Sequence, residues 1–341
     1  MQSAGEAGES GADACAPVFI VGCGRSGTTL LRLILNGHRD LAVFGETATF
    51  FRVGKYDTLD HERSFARFIR DWRTICRAES PYPDLMEDDS LRRALRLAPS
   101  YAAATSAIMR EFAKREGKPV WGEKTPAHVH KLPLILQAYP NARIIHITRD
   151  PRAVTSSSLT NFPGGRFDLY SAYENAVYWT RCESAIERFS PLAPNQIAKL
   201  KYEDLVADPQ SASRSLCAFL NVDFHQEMLE TAGTALRYGP KQEDGTLMAH
   251  HRSLAERVNA EPVGKWRKTL TEEMVHIVQH VAEEWMRKRG YSLEDVSGPR
   301  RSGFRELVLA AKYSIDRTKQ VSHRLMLHGY WRGRILLERL S

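Results

Sequence analysis

The stretch VFIVGCGRSGTTLLRLILNG, residues 18–37, decides the fold of this chain. Its first four residues are apolar and mostly β-branched, which is typical of a strand buried on both faces of a parallel sheet. Leucine and isoleucine then dominate residues 30–35, and Asn36-Gly37 end the run as a helix terminus does. The stretch therefore predicts a strand, a glycine-rich loop and a helix in direct succession.

The loop between this strand and this helix reads G-x-x-x-x-G-T-T at residues 22–29. Its glycines let successive backbone N–H groups point at one anion, and the helix N-terminus adds a partial positive charge. A loop for nucleoside triphosphates carries lysine where Thr28 stands, because the polyphosphate and its Mg²⁺ require that cation. This loop therefore fits a single phosphate group, with hydroxyl and guanidinium donors added. The candidate phosphate-binding residues are Gly24, Arg25, Ser26, Gly27, Thr28 and Thr29.

Strand-like and helix-like patterns alternate along the rest of the chain. The further predicted strands cover residues 41–44, 142–148 and 197–202, and residues 120–126 predict a short strand that ends in a polar turn. The further predicted helices cover residues 131–139, 172–189, 210–220 and 270–288, with a mostly helical stretch at 64–115. This alternation predicts an α/β protein, a P-loop-like three-layer fold with a central parallel sheet flanked by helices.

A second polar motif, RDPRAVTSSS at residues 149–158, follows the predicted strand at 142–148. Ligands of open α/β sheets bind beyond such strand ends. Arg149 at the strand end and Ser157, two turns into the next helix, could both reach one phosphate. A donor with a 5′-phosphate, a transferable group and a second phosphate is 3′-phosphoadenosine 5′-phosphosulfate. The letters H-x-x-R-D from His146 also occur in protein kinases, but the accompanying kinase motifs are absent from the sequence.

The net charge of +7 is concentrated at one end of the chain. Residues 297–341 carry ten Arg or Lys against three Asp or Glu, an excess equal to that of the whole chain. The balanced remainder argues against nucleic-acid binding, which an evenly basic domain would favour. We predict a disordered acidic tail at 1–16, a domain at 17–296 and a basic amphipathic helical extension at 297–341.

Two interpretations of the extension stay open at this point. Apolar residues recur at helical spacing within 303–341, with Arg and Lys between them. Such a helix either packs its apolar stripe on the domain, which we favour, or lies against an anionic membrane or a partner. No run of ~20 apolar residues occurs, residues 1–16 lack the pattern of a secretory signal, and the five cysteines form no CxxC pair. These features predict a cytoplasmic protein, with peripheral membrane contact and a homodimer left open.

Several motifs together resemble the sulfotransferase superfamily that uses 3′-phosphoadenosine 5′-phosphosulfate, above all its tyrosylprotein-sulfotransferase-like and bacterial "family 3" members. The first four are GCGRSGTTL at 22–30, GET at 45–47, EKTP at 123–126 and RDPRAVTSS at 149–157. Later landmarks extend the resemblance over residues 17–296: YEDL at 202–205, GKW at 264–266 and RGY at 289–291.

The resemblance also assigns roles to individual positions. It implies that the loop binds the 5′-phosphosulfate and that Arg149 and Ser157 bind the 3′-phosphate. It further implies cofactor contacts from Tyr202, from Ser253 and from Lys265, with Arg257 as a substitute for one of the last two.

Sulfuryl transfer to a hydroxyl requires a base for the acceptor's proton and cations for the departing bridging oxygen. Glu46 is the candidate base, because it follows the second predicted strand and should face the same sheet edge as the loop. Relatives likewise have a Glu before a Thr. Arg25 and Lys124 are the candidate cations, and the resemblance places the family's catalytic lysine at Lys124. No metal is expected, since the histidine pairs 128/130 and 250/251 lack a third ligand at a recognisable spacing.

Two other classes of function remain as alternatives. A P-loop nucleotide kinase needs the lysine that Thr28 replaces. A non-catalytic, membrane-associated anion-binding protein would not need Glu46 and Lys124 beside its loop. The acceptor stays open among protein tyrosine, carbohydrate and small hydroxyl metabolites.

Overall fold

A computed structural model describes residues 16–52, 62–161, 169–239 and 263–296 of the chain. Its strands are β1 (Val18–Gly22), β2 (Leu41–Phe44), β3 (Val120–Lys124), β4 (Arg143–Thr148) and β5 (Ile197–Lys201). They form one parallel sheet in the order β2-β3-β1-β4-β5. The predictions for the tail at 1–16 and the extension at 297–341 concern residues that lie, except for Ala16, outside the described ranges.

Helices connect the strands and cover both faces of the sheet. In chain order they are α1 (Thr28–Asn36), α2 (Glu62–Glu79), α3 (Asp89–Arg96), α4 (Tyr101–Arg115), α5 (Leu132–Ala138), α6 (Pro151–Asn161), α7 (Leu169–Phe189), α8 (Tyr202–Ala207), α9 (Pro209–Leu220), α10 (Thr231–Tyr238), α11 (Trp266–Thr269) and α12 (Glu272–Lys288). The predicted three-layer α/β fold is confirmed.

The alternation of side chains along β1 explains the three layers. Phe19 packs in one hydrophobic cluster with Trp72 of α2 and Trp179 of α7, whereas its neighbour Ile20 packs in another with Leu31 of α1. Every residue of β1, β2 and β3 is buried, as the near-continuous apolar runs of β1 and β2 indicate. The sheet therefore has a separate core on each face.

One boundary differs from the prediction in a way that affects the site. The strand predicted at 197–202 ends at Lys201, and Tyr202 begins α8. Glu203 and Asp204 lie in the first turn of that helix, where negative charge complements the helix dipole. Tyr202 is buried and faces the phosphate loop instead of extending the sheet.

All five strands are parallel, so their carboxyl ends meet at one edge of the sheet. The loop at 22–29 follows β1, Glu46 follows β2, Lys124 ends β3 and Arg149 follows β4. The polar motifs that lie far apart in the sequence are thus brought to a common edge.

Candidate active site

The loop after β1 has a backbone shape that requires glycine at two positions. Gly22 approaches the carbonyl oxygen of Ile147 so closely that a Cβ atom would lie 2.3 Å from it. Gly27 has a φ of +92°, and a Cβ atom there would lie 2.3 Å from Cδ2 of Tyr202. Arg25 also adopts a positive φ, +67°. These residues turn the chain sharply from the strand into α1.

The turn leaves hydrogen-bond donors at the start of α1. Gly27 is the N-cap residue of α1 and has no side chain to accept from the first-turn N–H groups. Ser26 is fully buried, and its Oγ has no hydrogen-bond partner among the described residues. A buried hydroxyl without a partner beside an uncapped helix N-terminus fits an anion, whose oxygens would accept from both.

Two arginines from different strand ends meet at this loop. Nη1 of Arg149 donates to the carbonyl oxygen of Arg25 at 3.3 Å, and Nε of Arg25 donates to Oγ of Ser157 at 3.1 Å. The Arg149 guanidinium lies 4.1 Å from the centre of the Tyr202 ring. Burial and the neighbouring Arg149 lower the pKa of Arg25, whereas Glu46 raises it. Two cations held close together favour an anionic ligand.

The second arginine of the RDPR motif faces the other way. Arg152 forms an ion pair with Asp150 at 2.7 Å between Nη2 and Oδ2, and its guanidinium lies 4.3 Å from the centre of the Trp266 ring. The backbone oxygen of Arg149 accepts from Nε1 of Trp179 at 2.9 Å. Arg152 therefore anchors the motif to α11, which leaves Arg149 to face the loop.

On the other side of the loop, Glu46 and Lys124 form a direct ion pair. Nζ of Lys124 donates to Oε1 of Glu46 at 2.5 Å. The lysine side chain is 1% exposed and the glutamate side chain 48% exposed. The carboxylate is thus open to an incoming molecule while the ammonium is held beneath it.

A buried acidic network lies directly behind this pair. Glu123, 2% exposed, accepts from Nδ1 of His128 at 3.0 Å, from Oγ1 of Thr47 at 2.9 Å and from Oγ1 of Thr125. Burial alone would raise the pKa of Glu123, but its interaction with His128 and the hydrogen bonds from His128, Thr125 and Thr47 lower that pKa overall. Glu123 is therefore an ionised carboxylate within the protein interior.

The structure brings most of the sequence-predicted residues together. Gly24, Arg25, Ser26 and Gly27 form the turn, and Thr28 and Thr29 begin α1. Arg149, Ser157 and Tyr202 surround the turn, and Glu46 and Lys124 lie at the ends of β2 and β3. Lys265 is exposed at the residue before α11, and Thr269 of α11 hydrogen-bonds Ser156 of α6 at 2.5 Å between the hydroxyl oxygens. Ser253 and Arg257 lie outside the described residues.

Sequence reasoning did not identify Glu79, at the end of α2, whose Oε2 accepts from the backbone N–H of Glu46 at 3.0 Å. A usable signal exists in α1: Arg32 interrupts an apolar helix and is fully buried. Its Nη2 donates to the backbone oxygen of Glu79 at 3.0 Å, and its Nη1 lies 3.8 Å from Oε2 of the same residue. A buried arginine requires such partners.

Two features are absent from the described residues, a cluster of metal ligands and a membrane-spanning helix. Within those ranges no group of three or more His, Cys, Asp or Glu side chains is arranged to hold a metal ion. Over the same part of the chain, no helix has both the length and the apolar character needed to cross a membrane.

A glycine turn that offers donors to an anion, beside a carboxylate and a lysine on adjacent strands, defines a P-loop-like group-transfer enzyme. The chain belongs to the sulfotransferase family, whose family model matches residues 17–226. It is accordingly a transferase that moves a sulfuryl group.

Individual relatives agree with this membership. The chain is 26% identical over 259 residues to protein-tyrosine sulfotransferase 1 of Danio rerio, a match that covers 73% of this chain and 65% of that protein. It is 22% identical over 285 residues to protein-tyrosine sulfotransferase A of Caenorhabditis elegans, covering 80% of this chain and 67% of that protein. The chain therefore spans about two thirds of the length of these relatives.

Among solved structures, the sulfotransferase domain of the Synechococcus PCC 7002 olefin synthase has the same fold. The TM-score is 0.55 at 21% identity, and the match covers 83% of this chain and 98% of that domain.

Proposed function

We propose that this protein transfers the sulfuryl group of 3′-phosphoadenosine 5′-phosphosulfate to a hydroxyl acceptor, with Glu46 as the base. The observation that carries the proposal is the meeting of Arg25 and Arg149 at the phosphate loop, through the Arg149–Arg25 and Arg25–Ser157 hydrogen bonds. Two guanidinium groups from separate motifs match a donor with two separate anionic groups. A single phosphate would need only the loop.

The residues present fit this donor. The uncapped start of α1 and the buried Ser26 hydroxyl, which has no partner among the described residues, would hold the 5′-phosphosulfate, together with Thr28 and Thr29. Arg149 and Ser157 would hold the 3′-phosphate. When bound, the donor supplies the activated sulfuryl group, and the protein contributes position and charge.

Transfer of a sulfuryl group, like that of a phosphoryl group, passes through a loose in-line transition state, so electrostatic placement dominates catalysis. Glu46 is exposed enough to take the proton of an acceptor hydroxyl. Lys124 lies against Glu46, and Arg25 lies in the loop, so both cations can stabilise negative charge on the bridging oxygen.

The acceptor is a hydroxyl compound, and a protein tyrosine is the first one to test. The relatives from Danio rerio and Caenorhabditis elegans are named protein-tyrosine sulfotransferases. A carbohydrate or a small metabolite stays an alternative. Cytoplasmic localisation and membrane contact through 303–341 also remain proposals, as does a homodimer.

The direct experiment measures turnover with 3′-phosphoadenosine 5′-phosphosulfate against a panel of tyrosine peptides, carbohydrates and small phenols, read as sulfuryl mass gain. We expect at least one acceptor to gain mass in the presence of EDTA, and Glu46→Gln to lower that turnover about 10²-fold or more. A parallel reaction with ATP and Mg²⁺ tests the kinase alternative. Phosphoryl gain in that reaction, without sulfuryl gain in the first, would contradict the proposal.

A further inference from the structure

Within the described residues, five consecutive backbone N–H groups at residues 46–50 bond to side chains and none bonds to the backbone of a neighbouring strand. These residues follow β2 and begin with the proposed base. The N–H of Glu46 donates to Oε2 of Glu79. The N–H of Thr47 donates to Oε1 of Glu123 and to Oγ1 of Thr125, and the N–H of Ala48 donates to the same Oγ1 of Thr125. The N–H of Thr49 donates to Oγ1 of Thr47, and the N–H of Phe50 donates to Nε2 of His128. We call residues 46–50 the base segment.

The geometry of the base segment needs such support. Ala48 has a φ of +51°, in the left-handed region that costs a residue with a Cβ atom roughly 1–2 kcal/mol. A strained residue of this kind persists only where its surroundings over-determine it. Acceptors on α2, on β3 and in the 3₁₀ turn Pro126–Lys131 supply that constraint.

Glu79 fixes the start of the base segment. Its Oε2 accepts from the N–H of Glu46 at 3.0 Å and lies 3.8 Å from Nη1 of the buried Arg32. The preceding residue is Gly45, where a Cβ atom would lie 2.0 Å from the same Oε2. A glycine at this position lets the carboxylate reach the backbone of the base.

Glu123 and His128 fix the rest of the base segment. Because Nε2 of His128 accepts from the N–H of Phe50 at 3.3 Å, Nδ1 carries the ring proton and donates to Glu123 at 3.0 Å. Thr47 donates its hydroxyl to Glu123, so Thr49 must donate its own hydroxyl to Thr47, at 2.6 Å. Every donor in this chain of bonds ends on an ionised carboxylate.

We propose that Glu79 and Glu123 are positioning residues for the base: they hold the base segment so that the Glu46 carboxylate meets Lys124 and the acceptor hydroxyl. This inference rests on the proposed function, because it assumes that Glu46 takes the acceptor's proton. Neither residue contacts the phosphate loop through any hydrogen bond in the described ranges. Their loss should therefore lower kcat and leave donor affinity unchanged.

The test compares two substitutions of one residue in two backgrounds. Glu79→Gln keeps an oxygen that accepts from the N–H of Glu46, whereas Glu79→Ala removes it. Turnover, affinity for adenosine 3′,5′-bisphosphate and melting temperature are measured for each, alone and combined with Glu46→Gln. Glu62→Gln, an exposed carboxylate at the other end of α2, is the matched control.

We expect Glu79→Ala to lower kcat about 10- to 100-fold, the usual range for a small displacement of a catalytic group. Glu79→Gln should restore kcat to within about threefold of the wild type, and both variants should keep bisphosphate affinity within about twofold. In the Glu46→Gln background the Glu79→Ala change should have almost no further effect, because a positioning residue acts only through the group it positions.

A loss of kcat from Glu79→Ala that is equally large in both backgrounds would overturn the inference, since it would indicate a general structural role. Wild-type kcat in Glu79→Ala would overturn it as well. Wild-type turnover in Glu46→Gln alone would instead refute the base assignment of the proposed function. If Glu79→Ala does not fold, Glu123→Gln provides the second variant: Glu123 accepts on both oxygens, from His128 on one and from Thr47 and Thr125 on the other, and a glutamine replaces one of these acceptors with a donor. We expect Glu123→Gln to lower kcat in the wild-type background and to have almost no further effect in the Glu46→Gln background. Wild-type kcat, or an equal loss in both backgrounds, would overturn the inference.

Discussion

The two halves of the site are built in opposite ways. In the donor half, residues 22–29 with Arg149 and Ser157, the loop at 22–29 takes its shape from its own backbone, through the positive φ of Arg25 and Gly27 and the close approach of Gly22 to β4. The base segment takes its shape from side chains that lie 33 to 78 residues away in the sequence. A local motif therefore shapes the phosphate loop, whereas the position of the base depends on the packing of α2 and β3 against one strand end.

This difference predicts that substitutions in the two halves impair different properties of the enzyme. Changes in the donor half should lower affinity and, where glycine is replaced, stability. Changes around Glu46 should lower turnover at saturating donor. The following experiments test that separation.

The largest effect is expected on the side of the base. Lys124→Met should lower turnover about 10²–10³-fold, because it removes a buried cation beside the proposed path of proton and sulfuryl transfer. Initial rates at saturating donor measure the effect. Lys118→Met is the control, since Lys118 is also shielded but donates to the backbone oxygens of Asn36 and Leu41 at the opposite end of the strands. Equal losses in both variants would contradict a local role for Lys124.

In the donor half, Arg149→Ala should weaken adenosine 3′,5′-bisphosphate binding by about 1.5–3 kcal/mol, the worth of a hydrogen bond to a charged group. Adenosine 5′-phosphate should be affected far less. Isothermal titration with both nucleotides measures the difference. The same loss for both would place the 3′-phosphate somewhere other than at Arg149.

The backbone of the donor half gives a matched glycine pair. Gly27→Ala should lower the free energy of unfolding by about 2–3 kcal/mol, because the alanine combines a left-handed φ with a Cβ atom 2.3 Å from Cδ2 of Tyr202. Gly24→Ala should change it by less than about 0.5 kcal/mol, because a Cβ atom there meets nothing within 4 Å. Urea unfolding without nucleotide compares the two, and similar losses would contradict the described loop geometry.

The smallest expected effect is a pH dependence of the free energy of unfolding that originates at a buried histidine of β4. His146 of β4 is buried beside Glu183, and burial lowers its pKa to about 4, although Glu183 opposes the shift. In the unfolded chain this histidine has its ordinary pKa of ~6.5. The unfolded chain therefore binds more protons than the native protein at pH values between the native and the unfolded pKa of His146. The contribution of His146 to the free energy of unfolding is therefore fully present above pH ~6.5 and is lost as the pH is lowered. The free energy of unfolding should fall by about 2 kcal/mol between pH 7 and pH 5.

Urea unfolding at pH 7 and pH 5 measures this loss. His146→Asn should remove most of the pH dependence, whereas His280→Asn, at an exposed position of α12, should preserve it. An unchanged slope in His146→Asn would show that other groups titrate in this window.

The sequence predicts the sheet well because buried parallel strands are short, nearly continuous apolar runs. Residues 18–21 and 41–44 coincide with β1 and β2 to within one residue. The strand predicted at 197–202 includes Tyr202. The two acids that follow it start a helix instead, a local signal that the apolar pattern hides.

The candidate site could be predicted only in part. Four site residues lie next to glycines or at strand ends, where a sequence motif predicts their role: Arg25, Glu46, Lys124 and Arg149. Glu79 lies at the end of an amphipathic helix, where a carboxylate usually faces solvent, so only the tertiary structure reveals that it accepts from Glu46.

The separation of the two halves is tested most directly in Glu46→Gln, with turnover and adenosine 3′,5′-bisphosphate affinity measured on the same preparation. We expect turnover to fall about 10²-fold or more while affinity stays within about twofold, because only proton transfer is removed. Wild-type turnover, or a loss of affinity as large as the loss of turnover, would contradict the assignment of Glu46 as a base that works beside an independently built donor site.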